Sequence, residues 1–595
     1  MNAKLRNILH TAWNEPRHFF FWLALLCFCG VAVVVIKTTG MIDPPVWVAL
    51  VALGCLLCFL VSVAACLLAW IPPVRRLFSW LLCRRLLVLG CLVTLVALFY
   101  AIENWRGRRA WQDYRRAGEA KGERFDLASF VPPPIPNDHN FFETPLWTDL
   151  HFIRTNGATV WSDTNWARRV IFTAFGPARN VAPRNNAPSP GNWIKAERVD
   201  LKAWQAFYRG CNNVFAAKDG RLTNYFPVAQ ASQTPAVDVL LALSRFNQNR
   251  QLLIAASARP QARFWIEYDD TFSALGPHWS RMPASSQYLA LHATAALQAG
   301  DRQMALEDVK LGFRLIESIR REPIVASHPV RLDMLRIGLQ PVWEGLADRQ
   351  WTEADLRVMA SELGKLDFLA DYHFAVRGER ALDLRGMDYI RKQASLRGIA
   401  DTPWTGPTIW PGEWYDFFGV ALFRLTPSGW FDQYILSFCR LLEKYLSPLV
   451  VDVEQRVVPP AGVREAESVL EHQRWWSLDF TSGGLLADLT SLAGECGSAQ
   501  SSVDLARVAC ALERYRRANG QFPETLEALA PKFLEKLPHD VINGQPLKYR
   551  RTDDGQFILY SIGWNETDDG GNVSLTKRGN PRLGQGDWVW RYPAR

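Results

Sequence analysis

Three stretches of the chain are apolar, free of charge and close to the roughly 20 residues a bilayer helix needs: Phe19 to Ile36, Val46 to Ile71 and Leu86 to Ile102. All three fall in the first hundred or so of 595 residues, and nothing downstream is apolar enough to be a fourth. That asymmetry predicts a membrane anchor carrying a large water-facing body. The N-terminal tail holds Lys4, Arg6 and Arg17, the loop after the second span holds Arg75, Arg76, Arg84 and Arg85, and the loop between the first two spans holds one Lys. Short loops rich in Lys and Arg stay cytoplasmic. The first span therefore runs outward, the second returns, the third runs outward again, and the body is expected outside the cytoplasm. Arg106, Arg108, Arg109, Arg115 and Arg116 oppose this by following the third span, but long domains translocate largely regardless of charge. A cleaved signal peptide is the competing reading of the first span. The long tail with Glu15 and Pro16, and the absence of a small-residue cleavage site, favour an uncleaved anchor.

Cysteine usage agrees with this division. Of eleven cysteines, seven lie within or between the spans, where Cys behaves as a small apolar residue. Cys211, Cys439, Cys496 and Cys510 are left for the body, too scattered for a zinc pattern or a dense disulfide framework. Either one or two bridges or four free thiols fit them. The formal charge, 67 basic against 59 acidic residues or +8, comes partly from the arginines beside the spans, so it points to lipid headgroups. With no RNP, zinc-finger or helix-turn-helix signature, nucleic-acid binding is excluded.

The body divides by texture. Residues 1–104 form the anchor, and 105–140 a charged helical neck followed by the proline-stiffened linker FVPPPIPNDHNF, which should run extended. Residues 141–235 are irregular and rich in Trp and Asn, with a breaker run at Ala182 to Gly191, and read as loop with short helices. Residues 236–500 show apolar positions at three- and four-residue steps, the mark of amphipathic helices. A tight turn at Gly300–Asp301 joins two of them, and Thr352 with Glu353 to Asp355 starts another. This first pair resembles a tetratricopeptide-type hairpin through Ala295, Ala296, Gly300, Asp301 and Ala305, over about one repeat. The rings of Pro403 to Tyr445 either lie at a bilayer interface or pack the helical domain. The fold class expected is membrane-anchored and mainly α, with three transmembrane helices, a helical and solenoid-like body, and a small α+β domain at the end.

That end, residues 501–595, is the most legible part. Ser501 or Ser502 caps a helix whose apolar face is Val503, Ala506, Cys510 and Leu512 or Tyr515, stopped by Asn519–Gly520. A second short helix starts at Pro523, and LKYRR and QFILYSIG form a hairpin across Asp553 to Gly555. Arg517, Asn519, Gly520, Phe522 and Pro523 write the R-x-x-N-G-x-[FY]-P segment with which this module resembles the globular domain of the major pseudopilin of type II secretion. The resemblance implies a bacterial source and a calcium ion in the loop after the sheet. Here that loop is GWNETDDGGNVS, where Asn565, Asp568 and Asp569 supply oxygens and Asp587 closes the site. A plain Asp-Gly turn is the competing reading. A pseudopilin has one N-terminal apolar helix with a prepilin-peptidase site, which this chain lacks, so the module reads as a binding or packing unit. In layout the whole chain is similar to multi-span bacterial membrane proteins with a helical extracytoplasmic body, a likeness that supplies no activity.

The ten histidines include no HExxH, and there is no GxSxG, Walker loop or dinucleotide fingerprint. His278, His292 and His328 are scattered and read as surface or satisfied core residues. The nearest constellation is RFWIEYDDTFSALGPHW, with Glu267, Asp269, Asp270 and His278 among Trp265 and Trp279. Carboxylates beside indole rings suit glycoside binding or hydrolysis, whereas adjacent acids more often mark a solvated turn. The sequence thus favours a non-enzymatic envelope protein of the inner membrane, an interaction scaffold with an unidentified protein partner and a link to secretion. The alternative is a periplasm-facing glycan hydrolase or glycan-binding protein using Glu267 to His278.

Overall fold

Apolar residues at helical spacing dominate the chain after residue 85, and helices result. The computed structural model describes residues 85–150, 152–155, 158–161, 172–173, 176–177, 188–218, 225–231, 233–268, 276–392, 426–473, 483–577 and 581–593. The first two expected spans, 19–36 and 46–71, lie outside them, as do Asp269 and Asp270. The chain divides into two units, Met1–Arg106 and Gly107–Arg595.

In the first unit the described residues, 85–106, belong to α1 (Arg85–Ala120), which contains the third expected span. Leu89, Val93, Val96 and Ile102 stand more than half exposed. Among the described residues this is the one helix long and apolar enough to cross a membrane, with a mean hydropathy of 1.7 over its most apolar window.

The second unit is mainly helical. Its elements are α2 (Leu201–Lys218), α3 (Pro235–Leu243), α4 (Asn247–Ser257), α5 (His278–Gln298), α6 (Arg302–Ser318), α7 (Ser327–Ala347), α8 (Glu353–Gly364), α9 (Phe368–Lys392), α10 (Ser428–Tyr445), α11 (Pro460–Gln473) and α12 (Gly483–Asn519). The turn expected at Gly300–Asp301 joins α5 to α6: Gly300 takes φ +87°, and the Asp301 carboxylate accepts the Met304 N–H at 3.0 Å. Ala295, Ala296 and Ala305 are fully buried where the two helices meet. Thr352 and Asp355 form a capping box at the start of α8. The stretch read as loop with short helices contains an 18-residue helix, α2, and two small antiparallel hairpins, β1 (Phe152–Thr155) with β2 (Ala158–Trp161) and β3 (Phe172–Thr173) with β4 (Gly176–Pro177). In α10, Tyr434, Phe438 and Tyr445 are buried and pack the helical body, Trp430 and Phe431 are half-buried, and residues 403–425 of the aromatic-rich stretch lie outside the described residues.

α12 is the largest departure from the sequence reading. It runs 37 residues, so Ser501 is not a cap but a buried mid-helix residue. The reason is continuity of the stripe: Leu489, Leu492, Ala493, Cys496 and Ala499 lead at helical spacing into Val503, Ala506 and Cys510, all buried. The boundary expected at 500/501 falls inside this helix, and the residues on both sides share one hydrophobic core reaching from Phe141 to Trp590. The helix stops as expected, with Gly520 at φ +82° and its N–H donated to Arg516 O at 2.7 Å. After it, the second short helix is only a 3-10 turn, Leu526–Leu529. The hairpin forms between β5 (Lys548–Arg551) and β6 (Phe557–Ser561), paired Lys548 to Tyr560 and Arg551 to Phe557. A separate hairpin, β7 (Val573–Leu575) with β8 (Pro581–Gly586), returns the chain, and β9 (Trp588–Arg591) joins the far side of β6. Trp590 meets Trp193 at 5.1 Å between ring centroids, and the Trp343 indole donates to Arg591 O at 2.9 Å. The small sheet is therefore docked on the helical body.

One ionic cluster sits between the central helices. The Arg331 guanidinium on α7 is fully buried; its Nε donates to Ile316 O of α6 at 3.1 Å and its Nη2 to Asp371 Oδ2 of α9 at 2.8 Å. The other Asp371 oxygen accepts from Arg320 Nε at 2.7 Å. Removing one partner of a buried pair leaves an uncompensated charge and costs about 3–5 kcal/mol. Arg331→Met is expected to lose that much in urea denaturation; a loss under about 1 kcal/mol would remove the pair from the forces holding these helices together.

Candidate functional site

The region around His278 is built by an extended segment, the start of α5 and the turn after α6. Along the segment Phe264, Ile266 and Tyr268 are buried, while Trp265 is exposed and Glu267 half-buried. His278 is fully buried at the start of α5, stacked on Phe264 with ring centroids 3.9 Å apart and met edge-on by Phe142. Its Nε2 lies 2.7 Å from Glu322 Oε1, and the neighbouring Trp279 indole donates to Glu322 Oε2 at 2.8 Å. Burial, helped by the charge of Glu322, pushes the Tyr268 phenol far above its ordinary range.

His278 is thus joined to Glu322, a residue the sequence did not single out. Among the described residues no hydrogen bond or ion pair joins Glu267 to His278. Glu322 lies 44 positions from His278, so no local spacing could have announced it. The group can hold a proton between imidazole and carboxylate beside two aromatic walls. With Glu322 and His278 at 5% and 0% exposure, it does so inside the core.

The other two histidines are also interior. His292 Nδ1 meets Asp308 Oδ2 at 2.6 Å, and Asp308 in turn takes the Arg250 guanidinium at 2.7 Å. His328 has no hydrogen-bond partner at either nitrogen among the described residues; burial first, and then Arg331, hold its pKa well below the usual histidine range. It is a neutral ring filling space. Cys439, Cys496 and Cys510 are buried free thiols whose pKa values burial raises, Cys439 and Cys510 to about 12.

The C-terminal loop brings Asn565, Asp568, Asp569 and Asp587 into one hydrogen-bonded turn. Asp587 is buried and accepts the N–H groups of Asp569 at 3.2 Å, Gly571 at 2.6 Å and Asn572 at 3.3 Å. Asp568 accepts the Gly570 N–H at 3.0 Å and the Tyr560 hydroxyl at 3.0 Å, with Lys548 Nζ at 3.4 Å. The Gly570 bond leads the effects that lower its pKa. Asp569 takes the Asn565 amide at 2.8 Å. Among the described residues no group of three or more His, Cys, Asp and Glu side chains stands close enough to hold a metal ion. Calcium, which takes six to eight oxygens, would have to replace the Lys548 and Asn565 contacts here.

A further titratable pair lies on α9. Glu379 and Asp383 are one turn apart; Glu379 accepts the Val325 N–H at 2.7 Å, and Asp383 Oδ2 is buried without a partner among the described residues. Although part of the Glu379 side chain reaches the surface, its carboxyl is enclosed, and burial raises its pKa to about 7. Burial, and then the charge of Glu379, raises Asp383. Arg380 lies between them in sequence but is turned to Glu123, 2.6 Å away.

No family model, curated protein or solved structure matches this chain.

Because Glu379 holds its proton in the fold up to about pH 7 and releases it near pH 4.3 when unfolded, its contribution is full below the lower value and is lost as pH rises through the upper one. Thermal stability of the native chain should therefore fall as pH rises from about 4.5 to 7, and Glu379→Gln should flatten that slope. At the loop, Asp587→Ala strands three N–H groups and is expected to cost about 2 kcal/mol. A calcium-dependent rise in Tm that Asp587→Ala abolishes would establish a cation there, and no rise would leave the loop closed by its own donors.

Proposed function

We propose that this chain is a non-enzymatic envelope protein that presents a helical body and a pseudopilin-like module to a protein partner. It does so as a multi-pass protein of a bacterial inner membrane with the body outside the cytoplasm. The charge pattern around the apolar spans supports that orientation, and the order of helix, N-G-x-[FY]-P turn and hairpin supports a link to secretion, with calcium in the module's loop as the resemblance implies. The observation that carries the reading is the commitment of the reactive side chains to the fold: His278 to Glu322, His292 to Asp308, Asp587 to three backbone N–H groups. Groups held this way fix shape and are closed to a substrate.

The second reading, a glycan hydrolase or glycan-binding protein at Glu267 to His278, draws on Tyr268 and Trp279 beside the Glu322 carboxylate. A carboxyl of this kind protonates a leaving oxygen if the cluster opens.

In-cell crosslinking of the full chain, followed by mass spectrometry of what co-purifies from detergent, separates the two. Recovery of secretion or pilus-assembly components, crosslinked through residues 501–595, is the expected result. Recovery of glycan fragments, together with loss of function in Glu267→Ala or Glu322→Gln at unchanged Tm, would replace the scaffold by the hydrolase.

A further inference from the structure

Beside the C-terminal half of α1 the second unit carries a groove of about 520 Å³, within the range of ligand sites. Its floor is apolar, formed by Phe125 and Ile435 with Ala381 and Leu384 of α9, all buried. Trp111 stands half-buried at one wall. The rim is charged and exposed, with Arg115 and Asp126 on one side and Arg385 and Asp388 on α9. Two guanidinium groups and two carboxylates over a hydrocarbon floor leave the site close to neutral overall.

A soluble anion would find the arginines offset by the aspartates, and a purely apolar ligand would bury against charge. An amphiphile carrying both a phosphate and an ammonium on a hydrocarbon chain satisfies all three features at once. Arg115 uses its Nε for Glu119 at 2.7 Å, which leaves the outer Nη edge of the guanidinium for a phosphate. Asp126 is committed to the Ser129 N–H and hydroxyl, at 3.0 and 2.6 Å, so Asp388 is the carboxylate placed for an ammonium. The source of such a molecule is given by the chain itself: Trp111 follows Ile102, the end of the bilayer-competent stretch, by nine residues.

We propose that this groove binds one zwitterionic glycerophospholipid of the phosphatidylethanolamine type, its acyl chain along Phe125, Leu384 and Ile435 and its headgroup between Arg115, Arg385 and Asp388. The inference rests on the apolar stretch of α1 lying in a bilayer. It differs from the lipid that coats any membrane helix, because the contacts belong to a folded unit and its rim selects a headgroup.

The test uses the full chain in bilayers containing photoactivatable phosphatidylethanolamine, with labelled peptides mapped by mass spectrometry. The expected label falls on residues 125–131 and 381–388 as well as on 89–102. Ala381→Trp fills the floor and should abolish the groove label while leaving that on 89–102. Asp388→Lys, an exposed change that spares the packing, should move the groove label from the phosphatidylethanolamine probe to a phosphatidylglycerol probe. Label confined to 89–102, or groove label indifferent to both substitutions, would overturn the proposal, as would equal labelling of the native groove by the two probes. Absence of label even on 89–102 would remove the membrane reading beneath it as well.

Discussion

A buried guanidinium sets the arrangement of the helical body. Arg331 is among the most hydrophilic groups a chain can carry, and taking it out of water costs several kcal/mol unless its donors are met. α7 can occupy the centre of the unit only in the register that brings Arg331 to Ile316 O of α6 and to Asp371 of α9. The Phe368 ring, 5.0 Å from the guanidinium, faces the same charge from the start of α9. Asp371 is shared with Arg320, so a shift of any one helix would strand a charge on another. Leu and Val side chains tolerate sliding by small repacking, whereas a buried ion pair does not. Burial raises the pKa of the neighbouring Glu317 carboxyl against the lowering pull of Arg331 and Arg320.

The second constraint is α12. It packs against α7, α8 and α9 and against strands of the C-terminal region, so most of that region's core is continuous with the core of the body, and a small cluster of Val541, Ile542, Ile562 and Trp588 stands apart from it. Trp343 reaching Arg591 O and Trp193 meeting Trp590 tie the last strand to the middle of the chain. If the module contacts a partner, it does so as one face of a larger solid, with β5 as one of the two edge strands of its three-stranded sheet. Its outward residues there are basic, and Lys548, Arg550 and Arg551 are held by Asp568, Gly570 O and Glu524, which blunts the edge against nonspecific pairing.

What could be read from the sequence was whatever a few neighbouring residues decide. The Gly300–Asp301 turn, the Thr352 capping box, the Asn519–Gly520 stop and the hairpin around Gly555 each depend on backbone preferences within about four residues, and each forms. Ser501 shows the limit: a hydroxyl ahead of an apolar run is a cap only if the chain before it is not helical, and Leu489 to Ala499 continue the same stripe. α2 was hidden by the Trp and Asn density of its surroundings. At the site, Glu267 and His278 drew attention because they are close in sequence, while the partner that matters, Glu322, arrives from the far end of α6. Pairings such as Arg331 with Asp371, 40 residues apart, are products of helix packing and carry no local signature.

The interior histidines show how the same residue type serves three ends in one fold. His278 carries a carboxylate on one nitrogen, His292 shares Asp308 with an arginine, and His328 makes no hydrogen bond among the described residues and stays neutral. Only the first two arrangements could move a proton, and in both the imidazole is fixed by a partner on a different element. For either to act on a substrate, α5 would have to part from α6 or from the turn after it, and the α5–α6 seam is closed by Ala295, Ala296 and Ala305 with no exposed surface. Small residues at a helix seam favour close approach and leave little void for a ligand. Access to His278 and Glu322, at 0% and 5% exposure, would need the start of α5 to part from the turn after α6, whereas presenting an outer surface needs no such motion, and this difference in conformational cost favours the scaffold reading over the hydrolase.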